Sequence, residues 1–287
     1  MRRRARRWKG FRGDGLSRAP KLGQNFLVDV AARQAIADAL GDVRERTVIE
    51  IGPGHGAISS ILAARCGRLI AIEVDRALAA ELRFQFRDQP QVEIVEADVL
   101  MVDFAALVPA GETADVVGNL PYYITSPILM RLFAAAQQGL LGRAVVMMQR
   151  EVADRLAAAP GVRDYGLLSA TTQMNAQVET LFTLPPTAFS PPPDVFSTVL
   201  RLTFQPRFAE LGVEPAAFDA FLRGCFAQKR KTLANNLRAA GYAAEQVLAA
   251  WPDDVSPQAR TESVQLDAMA RLFRSLISGA ERPGGVL

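Results

Sequence analysis

"TVIEIGPGHGAISSILAARCGRLIAIEVD", residues 47 to 75, reads as strand, glycine-rich turn, helix and second strand in quick succession. Val48 to Ile51 is a short apolar run, Gly52 to Gly56 holds three glycines, Ala57 to Ala64 has helical character, and Leu69 to Ile72 is apolar again. That order is the first half of a doubly wound sheet, in which crossovers are right-handed and ligands sit beyond the carboxyl ends of the strands.

The alternation extends both ways. Upstream, "DVAARQAIADAL" carries apolar residues at helical spacing, with Asp29 suited to cap its start and Gly41 to end it. Downstream, "DRALAAELRFQF", "PILMRLFAAAQQ" and "EVADRLAAAP" read as helices, interleaved with strands "VEIVEAD", "ADVVGNL", "RAVVMMQR", "QVETLFTL" and "TVLRLTF". Seven strands alternating with helices predict an α/β fold around a mostly parallel sheet covered on both faces. Residues 185 to 194, "PPTAFSPPPD", hold five prolines and predict a stiff loop outside any central strand. From about 206 only helical periodicity remains, in "EPAAFDAFLRGCFAQ", "KTLANNLRAAG", "AAEQVLAAW" and "SPQARTESVQLDAMARLFRSLIS". The expected organisation is a basic arm over 1–20, an α/β domain over 21–205 and a small all-helical domain over 206–287, its last residues frayed.

Composition narrows the function classes. The chain has 287 residues, 49% hydrophobic and 22% charged, enough for a substantial core. No segment approaches the apolar length of a membrane span or a secretory signal, so a cytoplasmic protein without membrane contact is expected. Two cysteines, Cys66 and Cys225, and one histidine, His55, leave almost nothing from which to build a zinc cage or a disulfide framework. Both cysteines are expected in the core, and no metal is expected.

The net charge of +3 hides an asymmetry: residues 1 to 21 carry nine basic residues against Asp14, a net +8, which leaves −5 for the rest. Such an arm is expected to be disordered in isolation. Contact with phosphates, mere solubilisation and a mitochondrial presequence all remain open for it.

The loop "EIGPGHG" contains no Lys-Ser/Thr pair and does not follow the G-x-G-x-x-G spacing, which removes the P-loop and weakens a dinucleotide site. Two acids sharpen the reading. Glu73 ends the second strand, where a carboxylate accepts from ribose hydroxyls, and Asp98 ends the third, where one accepts from an adenine amine. Three sites at consecutive strand ends describe a nucleoside slot, with helix capping or plain solvation the competing reading for either acid. His55, within the loop, is given no chemistry.

With these residues in place the sequence resembles the KsgA family, the S-adenosylmethionine-dependent adenine-N6 dimethyltransferases of small-subunit ribosomal RNA, from Lys21 onward. The matching stretches are "GQNFL" (23–27), "EIGPGHG" (50–56), "IEVD" (72–75), "EADVL" (96–100), "GNLPYYI" (118–124), "FSPPPDV" (189–195) and "FAQKRKTLANNL" (226–237). The resemblance implies a Rossmann-like methyltransferase fold. It assigns Glu50, Gly52, Gly54 and Gly56 to the methionine part of the cofactor, Glu73 to its ribose, Asp98 and Val99 to its adenine, and Gln24, Asn25 and Leu27 to a lid. Asn119, Leu120, Pro121 and Tyr122 match the catalytic motif, Asn119 also bordering the cofactor, and Phe189 matches an aromatic that stacks on the target base. Three positions depart from the family pattern: Asp194 where Lys is common, Lys229 where Arg is usual, and Phe196 where a smaller residue is usual. They bear on rRNA affinity more than on the chemistry.

The chemistry suits these residues. The adenine amine is a poor nucleophile because its lone pair is delocalised; an amide oxygen at Asn119 and the carbonyl of Leu120 would accept its hydrogens and turn the lone pair outward. Pro121 stiffens that turn, and Tyr122 and Phe189 would grip the ring from two sides. Tyr123 fits packing or substrate contact equally well. Lys229, Arg230, Lys231 and Arg238 are expected on a basic helical face for phosphates, with 231 and 238 seven apart; a solvated surface is the alternative. The implied activity is dimethylation of two adjacent adenosines in the 3′-terminal hairpin loop of 16S-type rRNA within the assembling small subunit. The implied co-product is S-adenosylhomocysteine, and the protein is expected to act as a monomer. Methylation of one adenine in 23S-type rRNA and a noncatalytic assembly factor are the alternatives.

Overall fold

A computed structural model describes residues 24–280. Its strands are β1 (Phe26–Leu27), β2 (Thr47–Ile51), β3 (Arg68–Glu73), β4 (Val92–Glu96), β5 (Ala114–Asn119), β6 (Leu141–Gln149), β7 (Ala176–Leu184), β8 (Phe189–Ser190) and β9 (Ser197–Phe204). The helices are α1 (Val30–Ala39), α2 (Ser59–Ala63), α3 (Arg76–Gln85), α4 (Phe104–Leu107), α5 (Thr125–Gln137), α6 (Arg150–Ala157) and α7 (Leu167–Asn175), then α8 (Phe208–Leu211), α9 (Pro215–Cys225), α10 (Leu233–Ala239), α11 (Ala244–Ala250) and α12 (Leu266–Ala280).

Seven strands form one sheet in the order β4-β3-β2-β5-β6-β9-β7, parallel except for β9, which runs antiparallel to both its neighbours. The period of two sorts each strand between two cores. Val48, Leu69, Val117, Val145, Met147 and Val199 pack with α1 to α3, whereas Ile49, Ile70, Val116, Val146, Met148 and Leu200 pack with α5 and α6. Because both faces are dry, the strands read as continuous apolar runs. Helix starts follow their caps: Asp29 Oδ1 accepts from the Ala32 N–H at 2.9 Å, as expected, and Asp75 Oδ1 from Ala77 at 2.8 Å.

One polar residue interrupts the central strand. Asp115 is fully buried at the amino end of β5, where Arg46 Nε and Nη2 reach it at 2.6 and 3.0 Å and Arg143 Nε at 3.4 Å. Three segments are thereby tied together at the end of the sheet remote from the switch point. At the opposite end, the β2–β5 register pairs Ile51 with Gly118, so Gly52 and Asn119 emerge side by side where the strand order reverses.

The proline-rich loop is more structured than expected. Its Phe189 and Ser190 pair antiparallel with Leu27 and Phe26, forming a two-stranded strap. Val28 N–H adds a bond to the Ala188 carbonyl at 2.8 Å, and the Arg33 guanidinium clamps the Leu27 carbonyl at 2.7 and 3.0 Å.

The helical region has its own core, with Phe218, Phe221 and Phe273 in mutual ring contact at centroid separations of 5.1 to 5.7 Å. That core reaches back across residue 206 to Ala158, Tyr165, Ala170 and Met174, the last two on α7, a helix the sequence reading lacks. Of the stretch read as helical from Ser256 to Ser278, the part before Leu266 is instead turns with a 3-10 element at Thr261–Ser263, and the helix, α12, begins at Leu266. Cys66 and Cys225 are buried, as expected, and burial pushes the Cys66 thiol up to about 11. Among the described residues no helix is long and apolar enough to cross a membrane. The arm over 1–20 and the frayed tail expected after 280 lie outside the described residues.

Candidate active site

A cavity of about 400 Å³ opens at the carboxyl ends of β2, β3 and β5, beneath the strap. Gln24, Asn25, Leu27, Glu50, Gly52, Gly54, Glu73, Asp98, Val99, Asn119, Leu120, Pro121 and Tyr122 all line it, so the expected cofactor slot and the Asn-Leu-Pro-Tyr turn share one space.

Gly54 has φ +59, and a Cβ there would lie 2.9 Å from the Phe26 ring, so the loop must be bare for the strap to close on it. Gly56 departs from expectation: it does not line the cavity, and a Cβ would meet Leu82 at 3.0 Å and Gln85 at 3.1 Å. Its role is close packing of the loop on α3.

Glu73 is 3% exposed; its Oε2 accepts from Gly54 N–H at 3.2 Å and its Oε1 from Asp75 N–H at 2.9 Å. Burial raises its pKa against those bonds. Each oxygen keeps lone-pair capacity for a hydroxyl. Glu50 is 2% exposed, and its Oε2 has no hydrogen-bond partner among the described residues. Burial pushes its carboxyl up to about 7, against the lowering effect of Ser59 and with the nearby Glu73 charge adding to the rise. Asp98 is exposed and also accepts from Leu100 N–H at 2.9 Å.

The turn after β5 is oriented by the strap. Asn119 Nδ2 donates to the Asn25 carbonyl at 2.9 Å, which fixes the amide's sense and leaves Oδ1 as an acceptor. The Leu120 N–H is taken by Met147 O at 2.9 Å, while no donor among the described residues reaches the Leu120 carbonyl. Pro121 has φ −58, and its carbonyl accepts from Ile124 N–H at 3.1 Å and Thr125 Oγ1 at 3.0 Å. Tyr122 is half-buried and exchanges a 2.6 Å hydrogen bond with Ser197 Oγ; burial raises its pKa and that bond opposes the rise.

Phe189 requires a correction. It is 3% exposed, packs with Leu27, Leu184 and Val199, and does not line the cavity, because its pairing with Leu27 turns the ring into the core. The aromatic rings that line the cavity are those of Phe26, Tyr122 and Tyr123, the last 64% exposed. His55 also lines it, its ring 4.6 Å from Phe26 and Nδ1 3.0 Å from Glu81. Arg33 and Ser197 were not read from the sequence; Ser197 meets Tyr122 across 75 residues, which no local pattern encodes, whereas the Arg33 contact with Leu27 spans only six.

The basic cluster is also rearranged. Lys229, Arg230 and Lys231 are exposed on the loop between α9 and α10, and only Arg238 is on a helix, so 231 and 238 do not share a helical face. Thr232 caps α10, its Oγ1 accepting from Asn235 N–H at 3.3 Å. Asn236, 1% exposed, pins the loop: its Oδ1 accepts from Gln228 N–H at 3.1 Å, and its Nδ2 donates to Gln228 O at 3.2 Å and Thr261 Oγ1 at 3.3 Å. Asn236→Ala strands those groups and is expected to cost about 2–3 kcal/mol, read as a lower denaturation midpoint with an unchanged slope.

Residues 16–278 match the family model described as ribosomal RNA adenine dimethylase. The chain is 57% identical over 258 residues to the ribosomal RNA small subunit methyltransferase A of Acidobacterium capsulatum, covering 90% of each. It is 49% identical to that of Koribacter versatilis, covering 90% of this chain and 94% of the relative. Among solved structures, a dimethyladenosine transferase from Plasmodium falciparum shares the fold with a TM-score of 0.74 at 21% identity, over 89% of this chain and 98% of the other. The 23S rRNA methyltransferase ErmE aligns with a TM-score of 0.67 at 27% identity, over 88% and 100%.

Proposed function

Because the chain belongs to the ribosomal RNA adenine dimethylase family, we propose that the cavity brings a target adenine of small-subunit rRNA against the methyl donor and that Asn119 and Leu120 orient its amine. The protein is an rRNA adenine dimethyltransferase that uses S-adenosylmethionine. The finer reading is that its substrates are two adjacent adenosines in the 3′-terminal hairpin loop of 16S-type rRNA, modified in the cytoplasm by a monomer acting on the assembling subunit.

The donor supplies a methyl group activated on a sulfonium. The cavity suits such a group: an acidic, water-poor floor at Glu50 and Glu73 beneath a glycine loop that admits close backbone approach. Glu50, Gly52 and Gly54 would hold its methionine end, Glu73 its ribose, Asp98 and Val99 its adenine, and Gln24, Asn25 and Leu27 would cover it.

The single observation that carries the reading is the hydrogen bond from Asn119 Nδ2 to the strap. It commits the donor side of the amide, so Oδ1, with the Leu120 carbonyl, is an acceptor for an N–H of the adenine amine. Holding both hydrogens bends the nitrogen towards tetrahedral and frees its lone pair, a positioning effect worth several kcal/mol in general. Pro121 stiffens the turn and Tyr122 offers the ring a stacking face. The proton becomes acidic only after transfer, so it passes to water and no general base is needed. In the second round one hydrogen remains, and one acceptor suffices.

Two readings compete. The match to ErmE allows a large-subunit target on the same fold, but the small-subunit relatives are much closer in sequence. A noncatalytic assembly factor is not favoured, given the intact turn. Radiolabel transfer from S-adenosylmethionine to small subunits of a strain lacking the modification, mapped by primer extension, should stop at the hairpin-loop adenosines. Label confined to large subunits, or none, overturns the proposal.

A pH dependence follows from Glu50. Its carboxyl, raised to about 7 by burial, is protonated below that value in the free enzyme. A cationic ligand favours the carboxylate and so lowers this pKa, which makes binding release a proton. S-adenosylmethionine affinity should therefore rise as pH is raised towards 7 and then level off. Calorimetry at pH 6 in two buffers of different ionisation enthalpy should detect the released proton, and Glu50→Gln should abolish it.

A further inference from the structure

We propose that Arg150 and Phe196 form a stacking platform for an RNA base beside the target adenine, a subsite outside the cavity. The inference rests on reading the cavity as an adenine-methylating site.

Phe196 is 43% exposed beside Val195 at 41%, an apolar pair unlike the core residues that follow it in β9. The Arg150 guanidinium carbon lies 5.1 Å from the centre of the Phe196 ring, and the Arg150 N–H donates to the Phe196 carbonyl at 3.0 Å, so the two residues are locked together at backbone and side chain. Among the described residues no carboxylate pairs with Arg150, although its helix neighbour Glu151 is held by Arg155. A guanidinium over an aromatic ring, both open to solvent, offers flat π-faces on which an unpaired base can stack.

Its place in the fold selects the occupant. The residue after Phe196 is Ser197, whose Oγ is 2.6 Å from the Tyr122 hydroxyl, so the platform adjoins the catalytic turn. From Arg150, α6 leads to the segment where Lys229 Nζ donates to the Arg163 carbonyl at 3.2 Å, and the exposed basic loop begins there. A strand with its target base in the cavity and phosphates near Lys229 to Lys231 would pass over Phe196. Asp194, exposed in the same loop, disfavours a phosphate at this point and leaves the base as the group contacted.

The test is steady-state methyl transfer to unmodified small subunits. Phe196→Ala and Arg150→Ala should each raise KM for the subunit roughly 5- to 100-fold, with kcat within about twofold and S-adenosylmethionine affinity unchanged. The double variant should resemble the worse single one, because both residues serve one platform. Phe196→Trp should restore KM, whereas Arg150→Lys, which keeps charge but not the plane, should behave like Arg150→Ala. Thermal midpoints within a few degrees of wild type exclude misfolding as the cause. A wild-type KM in folded Phe196→Ala, or full activity of Arg150→Lys, overturns the platform while leaving the methylation reading intact. Failure of the wild type to label subunits overturns that reading instead.

Discussion

Asn119→Ala is expected to lower kcat by roughly 10²- to 10³-fold, the scale of losing one preorganised polar group aimed at the reacting centre, while S-adenosylmethionine affinity changes less than about threefold. The side chain has two polar ends with different duties. Nδ2 anchors the strap through the Asn25 carbonyl at 2.9 Å, and Oδ1 is the acceptor for the adenine amine. Removing the acceptor leaves only the Leu120 carbonyl to hold the nitrogen, so turnover falls. The strap keeps its pairing with Phe189 and Ser190 and the Arg33 clamp without the Nδ2 bond, so cofactor retention at Gln24, Asn25 and Leu27 changes little. Single-turnover rates at saturating cofactor, set beside equilibrium binding, separate the two. A variant that turns over normally but binds cofactor poorly would make Asn119 a strap anchor and remove it from the chemistry.

The largest stability effect is expected at Asp115. Asp115→Ala leaves Arg46 and Arg143 without their shared carboxylate, and loss of one member of a buried ion pair costs about 3–5 kcal/mol. The arginine side chains are 31% and 35% exposed and can turn partly to water, which puts the expected loss near the lower end, about 3 kcal/mol. For a chain of this size that is a fall of roughly 6–12 °C in thermal midpoint. Because Asp115 stands at the other end of β5 from Asn119, the folded fraction should keep its kcat, and Asp115→Asn should be milder. A midpoint within about 2 °C of wild type would show that the pair merely breaks even against its desolvation.

The sheet, its order of elements and the residues around the cavity were legible because each is written locally. Apolar strand runs, glycines at a turn and acids at strand ends need no knowledge of what lies opposite. What was missed depends mostly on distant partners. Phe189 looked available for stacking because nothing near it signals that Leu27, far upstream, pairs with it and turns it inward. Asp115 does lie in the expected strand, but its partners Arg46 and Arg143, which come from other segments, went unread. The basic cluster differs, because its signal is local: Thr232 caps α10 and thereby puts Lys229 to Lys231 ahead of the helix. Gly56 shows that a motif glycine can serve an interface behind the ligand loop.

The helical core that borrows Ala170 and Met174 also has a bearing on recombination between relatives. Those residues precede β7 and β9, which belong to the sheet, so the stretch completing one core is threaded between parts of the other. No single crossover can exchange the helical end as a cassette: a chimera joined at 206 inherits half of a foreign packing interface, and matching substitutions on α7 would have to travel with it.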